Sequence, residues 1–351
     1  MIRIYKFFCY YMLMVSDNYG LDLDKIIEEF HEESKRYLKG VGIEIKGIRL
    51  RILESLDSLQ ELYDMIKTYE YDIDKLKQEL NTIDKSLLEQ ISNYDDIYII
   101  KKENLKEFYI GEIYLLKQKY NTDDIKELNN KILKYVVLPI KENERADGSS
   151  VSQTEEIFIV EDRLKNHIDE TLKLNRFGYI NINGPSIIRV KSPLSAVIYT
   201  PLYTEGKNIE KDLTEFYAGN VILHEKGHRI VNRKRWDDDE FSASALQYIM
   251  YIDMHDLLKH PETHEIIKEN IIECKKYVGT LAMLGYHTAI EDLPESTLKY
   301  AANVLKEAPY ELGLCYANII IDGNKNLNIK DVVEEVKNLS PLNVINKIIL
   351  Y

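Results

Sequence analysis

The residues of this chain best suited to chemistry lie in the segment His224–His228, which has the sequence His-Glu-Lys-Gly-His. Residues four apart on a helix lie on the same face about one turn apart, so both imidazoles can bind a single Zn²⁺. Glu225 stands beside the first histidine, where a carboxylate can act as general base on a water that the metal activates. The pattern is therefore typical of a zinc hydrolase. The alternative is a buried helix with two solvated histidines and no metal.

The neighbours of these residues predict how their helix is placed. The apolar run Val221–Leu223 predicts that the helix is buried. Gly227 predicts that another element approaches the helix closely beside the metal. Lys226 is unusual inside such a motif, because a second cation near the metal is unfavourable. We therefore predict that the Lys226 side chain points away from the metal.

A catalytic zinc needs a third protein ligand, and no further histidine follows at the spacing of a three-histidine site. Segment 236–247 predicts a turn and a new helix that begins with Glu240 in its first turn. The small residues 242–245 would let this helix pack tightly on the histidine helix, so Glu240 is the predicted third ligand. Asp239, another nearby acid and a more distant residue are the alternatives. The acidic run 237–240 also suits a helix N-terminus that binds no metal.

With these residues the chain resembles the gluzincin-type zinc metallopeptidases, which bind zinc through two histidines of the motif and a glutamate on a following helix. His-Glu-x-Gly-His before Glu240-Phe-Ser-Ala-Ser is most similar to the thimet oligopeptidase/oligoendopeptidase F and carboxypeptidase Taq families. The short gap from His228 to Glu240 is closer to that of the ImmA/IrrE-type metallopeptidases, which are the alternative. The resemblance runs from residue 190 to residue 320, and its specific part is the His-Glu-x-x-His core.

The resemblance implies a peptidase that hydrolyses peptide bonds with a water activated by Zn²⁺. It implies that His224, His228 and Glu240 bind the metal and that Glu225 takes a proton from the water. An antiparallel sheet would precede the metal helix, and its edge strand would hold the peptide substrate. A tyrosine or histidine on a late helix would stabilise the oxyanion of the reaction.

Tyr310 is the predicted oxyanion-stabilising residue. Segment 309–318 resembles the Tyr-x-x-Gly stretch of the oligopeptidase families and predicts a helix that starts with Pro309 in its first turn. Tyr316 and His287 are the alternatives. Because the chain has 26 tyrosines, a packing role is the competing interpretation for each tyrosine.

The elements that must position these residues are predicted from apolar spacing. Apolar residues recur every three or four positions from Ile52 to Tyr94, with no Gly or Pro between them. This spacing predicts a long amphipathic helix or a helical hairpin. We interpret residues 1–145 as a helical, coiled-coil-like region that packs within the chain, and a coiled coil that binds a partner is the alternative. The polar, aperiodic segment 143–153 is the predicted linker.

Residues 154–351 are the predicted zincin-like metallopeptidase domain. Segment 155–174 has helical periodicity, and three short β-branched runs after it predict strands. These runs are 178–184, 186–190 and 195–199. From residue 211 onward the pattern is helical, with breaks at prolines such as Pro309. The predicted fold class is mainly α with a small antiparallel β-sheet (α+β), as a zincin-like catalytic domain preceded by a long helical region.

Composition and charge exclude several classes of function. Lysines and arginines number 46 against 59 aspartates and glutamates, which gives a net charge of −13. This charge repels phosphate backbones, so we expect no nucleic-acid partner. No apolar run reaches the ~20 residues of a membrane helix, so we expect no membrane partner and a cytoplasmic location. Cys9, Cys274 and Cys315 are odd in number and far apart, which predicts a reducing compartment and no disulfide.

The start of the chain contains a short apolar segment, residues 7–15. It is too short to span a bilayer, and no A-x-A cleavage site follows it. We interpret it as a first strand or a buried helical turn, and translation from Met12 or Met14 is the alternative.

The function that the sequence favours is a zinc-dependent peptidase with Zn²⁺ as its cofactor and a peptide as its substrate. The alternative is a helical scaffold or interaction protein in which the zinc site is structural or inactive. The two functions share the metal ligands and differ in whether Glu225 and Tyr310 act on a substrate.

Overall fold

The structure is a computed structural model of the 351-residue chain. It describes residues 22–45, 48–92, 97–138, 148–151, 156–173, 185–192, 194–195, 197–231, 236–283, 295–324, 328–339 and 341–351. The α-helices are α1 (Leu23–Gly40), α2 (Leu56–Tyr71), α3 (Ile73–Thr82), α4 (Lys85–Ser92), α5 (Leu105–Tyr120), α6 (Ile125–Ile132), α7 (Glu161–Lys173), α8 (Ile209–Val231), α9 (Trp236–Met254), α10 (Pro261–Met283), α11 (Glu295–Gly323), α12 (Ile329–Lys337) and α13 (Pro341–Leu350). The strands are β1 (Arg49–Leu53), β2 (Ile97–Ile100), β3 (Gly148–Val151), β4 (Glu156–Val160), β5 (Ser186–Lys191) and β6 (Tyr199–Thr204).

The first sheet has the strand order β2-β1-β4-β3. β1 pairs in parallel with β2 and β4, whereas β3 is antiparallel to β4. Every residue of β1 and β4 is buried, as expected for parallel strands with helices on both faces. In β4, Ile157 and Ile159 join the core that contains α1 and α8, while Phe158 and Val160 join the core of α2, α5 and α6. The sheet therefore separates two layers of helices.

In the described part of residues 1–145 helices predominate, as predicted, but the range also contains strands and is not a separate helical region. β1 and β2 lie in this range, and β1 pairs with β4 on the far side of the predicted linker. Residues 148–151 of that linker form β3, and segment 155–174 contains β4 before α7. Strands that are buried on both faces are continuous apolar runs without alternation, so the pattern alone does not distinguish short ones from helix.

The long helix predicted over 52–94 is divided into α2, α3 and α4, and its first residues belong to β1. Ser55 caps the N-terminus of α2 by accepting a hydrogen bond from the backbone amide three residues later. Asp72 caps α3 in the same way. These polar caps divide the segment where neither Gly nor Pro is present.

β5 and β6 form a two-stranded antiparallel sheet directly before α8. The predicted strand 186–190 is confirmed as part of β5. The strand predicted over 195–199 is wrong over most of its length, since β6 begins at Tyr199. Before β6, Ser195 Oγ accepts hydrogen bonds from the backbone amides of Val197 and Ile198. The predicted run 178–184 lies outside the described residues. The α+β class is confirmed, with a parallel sheet that the sequence did not predict.

The helices after this hairpin pack around α9, which contacts α8 on one side and α11 on the other. α11 runs without a break from Glu295 to Gly323 and contains Pro309. The predicted helix start at Pro309 is therefore wrong. A proline disturbs one turn of a helix, and here the fully buried residues Ala308 and Leu312 hold that turn against the neighbouring helices.

Cys274 of α10 and Cys315 of α11 form a disulfide, and both residues are buried. The prediction of a chain without disulfides is therefore wrong, because the packing of α10 on α11 brings together two cysteines that are 41 residues apart. Because this disulfide forms, the number and spacing of the cysteines no longer indicate a reducing compartment. Cys9 and the apolar segment 7–15 lie outside the described residues. In the described part of the chain, no helix has the length and apolar character needed to cross a membrane.

Candidate metal centre

Two helices carry the predicted metal ligands. α8 contains His224 and His228, and α9 contains Glu240 near its start. The two helices approach closely at Gly227, where an added Cβ would lie 2.9 Å from the Cα atom of Ala243. A Cβ cannot be accommodated at this distance unless the two helices move apart, so glycine permits the observed spacing. The predicted close approach at Gly227, against a small residue of the next helix, is confirmed.

One nitrogen of each histidine and one oxygen of Glu240 form a compact triangle. His224 Nε2 lies 3.1 Å from Glu240 Oε2 and 3.2 Å from His228 Nε2. His228 Nε2 lies 3.4 Å from the same Glu240 oxygen. The exposed fractions of the His224, His228 and Glu240 side chains are 8 %, 13 % and 13 %. The structure thus brings the three predicted ligands together in a nearly buried position.

The triangle matches the ligand spacing of zinc. Zn–N bonds of about 2.0–2.1 Å at tetrahedral angles place two ligand atoms about 3.3–3.4 Å apart. The three separations in the structure are 3.1, 3.2 and 3.4 Å, which differ from this spacing by a few tenths of an ångström at most. Two imidazoles and one carboxylate are also a donor set that catalytic zinc uses, with the fourth position open. The residues of this site therefore fit Zn²⁺.

Glu225 lies beside the triangle. It is 6 % exposed, and one of its oxygens lies within 4.8 Å of the ligand nitrogens of His224 and His228. These three residues form an alternative ligand set that shares both histidines. Glu240 fits the position of a third ligand better, since its oxygen is no more than 3.4 Å from either imidazole nitrogen. The position of Glu225 suits a base that acts next to the metal.

Asp239 contacts the other nitrogen of the His228 ring. Its Oδ2 accepts a hydrogen bond of 2.9 Å from Nδ1 of His228, while Nε2 of the same ring faces the triangle. The structure thus places Asp239 behind the ring instead of among the ligand atoms. A carboxylate in this place fixes the tautomer and orientation of a metal-binding histidine. Sequence reasoning missed this role, although Asp239 stood among the candidates because it adjoins Glu240.

Tyr310 of α11 is brought to the site from another part of the chain. Its ring stacks on the His224 ring with the ring centres 5.9 Å apart, and its side chain is hydrogen-bonded to Glu240. Burial raises the pKa of the Tyr310 hydroxyl, and the negative charge of Glu240 adds to this effect. The hydroxyl therefore keeps its proton at neutral pH. α11 approaches α9 at Gly313, where an added Cβ would overlap the carbonyl oxygen of Phe241.

The two alternatives to Tyr310 are not part of this site in the described residues. Tyr316 lies on the same helix, but its hydroxyl donates a hydrogen bond to Glu335 of α12 and its ring packs against Phe241. His287 lies outside the described residues. Of the two candidates within the described residues, Tyr310 is the one that contacts a predicted ligand, His224.

Lys226 points away from the predicted metal ligands, as expected from the sequence. Its Nζ donates hydrogen bonds to Ser34 Oγ at 2.6 Å and to the carbonyl oxygen of His31 at 3.2 Å, both on α1. The residue is 1 % exposed, and burial lowers the pKa of its ammonium group to about 7. Lys226 therefore joins the opposite face of α8 to α1 and leaves the ligand face free of positive side chains from the motif.

The ligand side chains are held in a network of opposite charges. Burial alone would lower the pKa of His228, but hydrogen bonds with Asp239 and Glu240 raise it well above its usual value. Burial alone would raise the pKa of Glu240, but hydrogen bonds from His224 and His228 hold it well below its usual range. The Glu240 carboxylate is therefore ionised at neutral pH, which is the form that binds metals.

Comparisons with known proteins do not identify a family. No family model matches this chain, and neither curated proteins nor solved structures gave a match. The resemblance to gluzincin-type metallopeptidases therefore rests on the motif and on the arrangement of the residues around it.

Proposed function

We propose that this protein is a zinc-dependent peptidase. The observation that carries the proposal is the triangle of His224 Nε2, His228 Nε2 and Glu240 Oε2, whose sides of 3.1–3.4 Å fit three corners of a zinc tetrahedron. Zinc in such a site supplies a water with a pKa of about 7 and polarises a carbonyl group. The residues of the chain supply binding, orientation and proton transfer.

Three side chains around the triangle have roles in peptide hydrolysis. Glu225 accepts the proton of the attacking water and delivers it to the nitrogen of the broken C–N bond. Tyr310 donates a hydrogen bond to the oxyanion that forms on the substrate carbonyl. Its hydrogen bond to Glu240 must be exchanged for one to the substrate when the substrate binds. Asp239 acts through His228, whose ring it orients.

The substrate class is supported by the element that precedes the metal helix. The antiparallel pair β5–β6 comes directly before α8 in the chain, in the order that the resemblance to the oligopeptidase families implies. β6 also packs against α8. An edge strand can hold an extended peptide through backbone hydrogen bonds, so a peptide is the substrate that fits this arrangement.

A scaffold or interaction protein with a structural or inactive zinc site is the second candidate. The burial of the site favours it, since His224 and Glu225 are each 6 % exposed. Two cavities formed by the described residues are lined by other side chains. A structural zinc needs no path for a substrate, whereas a catalytic one keeps a position open.

Zinc content and peptide hydrolysis separate these functions. We expect about one zinc per chain in the wild-type protein and none in His224→Ala. Glu225→Gln should keep its zinc and lose hydrolysis of a mixed peptide library. The control is His264→Ala, which changes an exposed histidine on α10 and should alter neither quantity. Full zinc in His224→Ala would contradict the metal site, and a zinc-loaded wild type without hydrolysis of any peptide would favour the structural role.

A further inference from the structure

A buried acid follows Tyr310 directly on α11. Glu311 is 2 % exposed, and neither the metal triangle nor the proposed proton transfer uses it. Its Oε2 accepts a hydrogen bond from the hydroxyl of Ser195, which lies 116 positions earlier in the chain. Ser195 belongs to the connection between β5 and β6, residues 192–198. The contact therefore joins the helix that carries Tyr310 to the hairpin that precedes the metal helix.

The hydroxyl of Ser195 uses all of its hydrogen-bonding capacity. A serine hydroxyl has one proton to donate and two lone pairs that accept. It donates to Glu311 and accepts from the backbone amides of Val197 at 3.0 Å and Ile198 at 2.7 Å. The carbonyl oxygen of Ile198 in turn accepts a hydrogen bond of 3.0 Å from the amide of Ser192. One hydroxyl thus holds the local turn before β6 and also links this turn to α11.

The first residue of β6 is held separately. Asn270 of α10 accepts a hydrogen bond from the amide of Tyr199 at 3.0 Å and donates one to its carbonyl oxygen at 2.7 Å. The side chain of Asn270 also donates to Asn318 of α11 at 2.9 Å. Asn318 lies eight residues beyond Tyr310, which is about 12 Å along the helix axis. This network therefore fixes the start of β6 against a later part of α11 than the turn that carries Tyr310.

The turn of α11 around Tyr310 is weakened by its own sequence. Pro309 lies inside the helix directly before Tyr310. A proline has no amide hydrogen, so one hydrogen bond to the preceding turn is missing here. The bond from Ser195 to Glu311 thus supports α11 at the turn where the hydrogen bonding of the helix itself is interrupted.

We infer that Glu311 is a positioning residue for the peptidase reaction. The inference rests on the proposed function, in which the hairpin holds the peptide and Tyr310 donates to the oxyanion. Through Ser195, Glu311 fixes the connection before β6 against the turn of α11 that carries Tyr310. The scissile carbonyl of a peptide on the hairpin then lies within reach of the Tyr310 hydroxyl. Such alignment acts on kcat, because a misplacement of about 1 Å can slow a reaction by about 10²-fold.

Kinetics of the zinc-loaded full chain test this inference, with a peptide that the wild type hydrolyses. Glu311→Leu removes the acceptor of the Ser195 proton and should lower kcat by about 10–100-fold with little change in KM. Glu311→Gln keeps a side-chain oxygen that accepts this proton and should have nearly the kcat of the wild type. Glu307→Leu is the control, since it makes the same substitution at an exposed position one turn earlier on α11. Zinc content should equal that of the wild type in all three variants.

A double-mutant cycle with Tyr310→Phe separates positioning from a general structural role. Tyr310→Phe removes the oxyanion donor and should lower kcat by about 10²–10³-fold. Adding Glu311→Leu to Tyr310→Phe should lower kcat by less than about threefold, because no hydroxyl remains to be aligned with the carbonyl. If the two losses in kcat multiply instead, Glu311 acts independently of Tyr310 and the inference is overturned.

Hydrogen exchange gives a readout that does not depend on activity. The amides of Val197 and Ile198 should exchange faster in Glu311→Leu than in the wild type or Glu311→Gln, since Ser195 is no longer held against α11. Ser195→Ala breaks the same contact from the other side and should also lower kcat. Unchanged exchange or wild-type kcat in Glu311→Leu would overturn the inference and leave the proposed function in place. A zinc-loaded wild type that hydrolyses no peptide would contradict the proposed function, and the inference with it.

Discussion

Gly227→Ala should disturb the proposed metal centre without altering any of the three proposed ligands. The added Cβ would lie 2.9 Å from Cα and 3.0 Å from the carbonyl oxygen of Ala243. Both atoms belong to the backbone of α9, so no side chain can turn away to make room. Ordinary contacts of a Cβ begin near 3.4 Å, and α9 must therefore move away from α8 by about 0.5 Å.

This movement acts directly on the triangle of ligand atoms. His224 and His228 lie on α8 and Glu240 lies on α9, so two of the three sides lengthen when the helices separate. Metal–ligand distances tolerate deviations of about ±0.2 Å. We therefore expect zinc affinity to fall by about tenfold or more, which corresponds to about 1.4 kcal/mol.

The expected effect on stability is smaller, because two contributions oppose each other. Overpacking at a tight contact costs about 1–3 kcal/mol, while alanine in place of glycine favours a helix by about 1 kcal/mol. The free energy of unfolding should therefore fall by about 0–2 kcal/mol. The zinc effect is thus expected in a protein that still folds.

Gly279→Ala is the matched control. Gly279 lies on α10, and an added Cβ would have no heavy atom within 4 Å. This variant should gain up to about 1 kcal/mol of stability and bind zinc as the wild type does. Chelator competition measures zinc affinity, and urea unfolding measures stability. If Gly227→Ala matched Gly279→Ala in both measurements, the close contact between α8 and α9 would not be what sets the ligand spacing.

Two further predictions concern residues that support the site. Asp239→Ala should weaken zinc binding by about 10–100-fold, because His228 loses the carboxylate that orients its ring. Chelator competition measures the zinc affinity, and Glu240→Ala should bind zinc more weakly still. Wild-type zinc affinity in Asp239→Ala would show that Asp239 does not support His228 as a ligand. Reduction of the Cys274–Cys315 disulfide should lower the free energy of unfolding by about 4 kcal/mol, since the two residues are 41 apart in sequence and the cross-link restricts the unfolded chain. Urea unfolding with and without a thiol reductant measures this loss. Cys315→Ala is the control and should not respond to the reductant. Equal unfolding midpoints for the wild type in both conditions would refute the disulfide.

The local part of the site was predictable from the sequence. Two histidines four residues apart share a face on any helix, so their proximity required no knowledge of the fold. The approach of Glu240 was predictable because Gly227 and the small residues 242–245 indicate tight packing between consecutive helices. The structure places Glu240 Oε2 at 3.1 Å from His224 Nε2, in agreement with that reasoning.

The features that were missed depend on contacts between distant parts of the chain. The parallel pairing of β1 with β4 joins residues more than 100 positions apart, and short strands buried on both faces carry no alternating pattern. The pairing of Cys274 with Cys315 was hidden by the third cysteine, which made the count odd. Asp239 was recognised as an acid near the metal, but its contact with the far nitrogen of His228 depends on the rotation of the imidazole ring, which no spacing rule encodes.

The positions of Glu240 and Tyr310 depend on two different helix contacts, and this separates metal binding from catalysis within the proposed function. Glu240 is placed by the contact of α9 with α8 at Gly227, whereas Tyr310 is placed by the contact of α11 with α9 at Gly313. The disulfide joins α11 to α10 and not to α8 or α9. Loosening α11 should therefore displace the hydroxyl that serves the oxyanion while the zinc ligands stay in place. A disturbance at Gly227 should appear first in zinc affinity, and one at the disulfide should appear first in the rate of hydrolysis at full zinc occupancy.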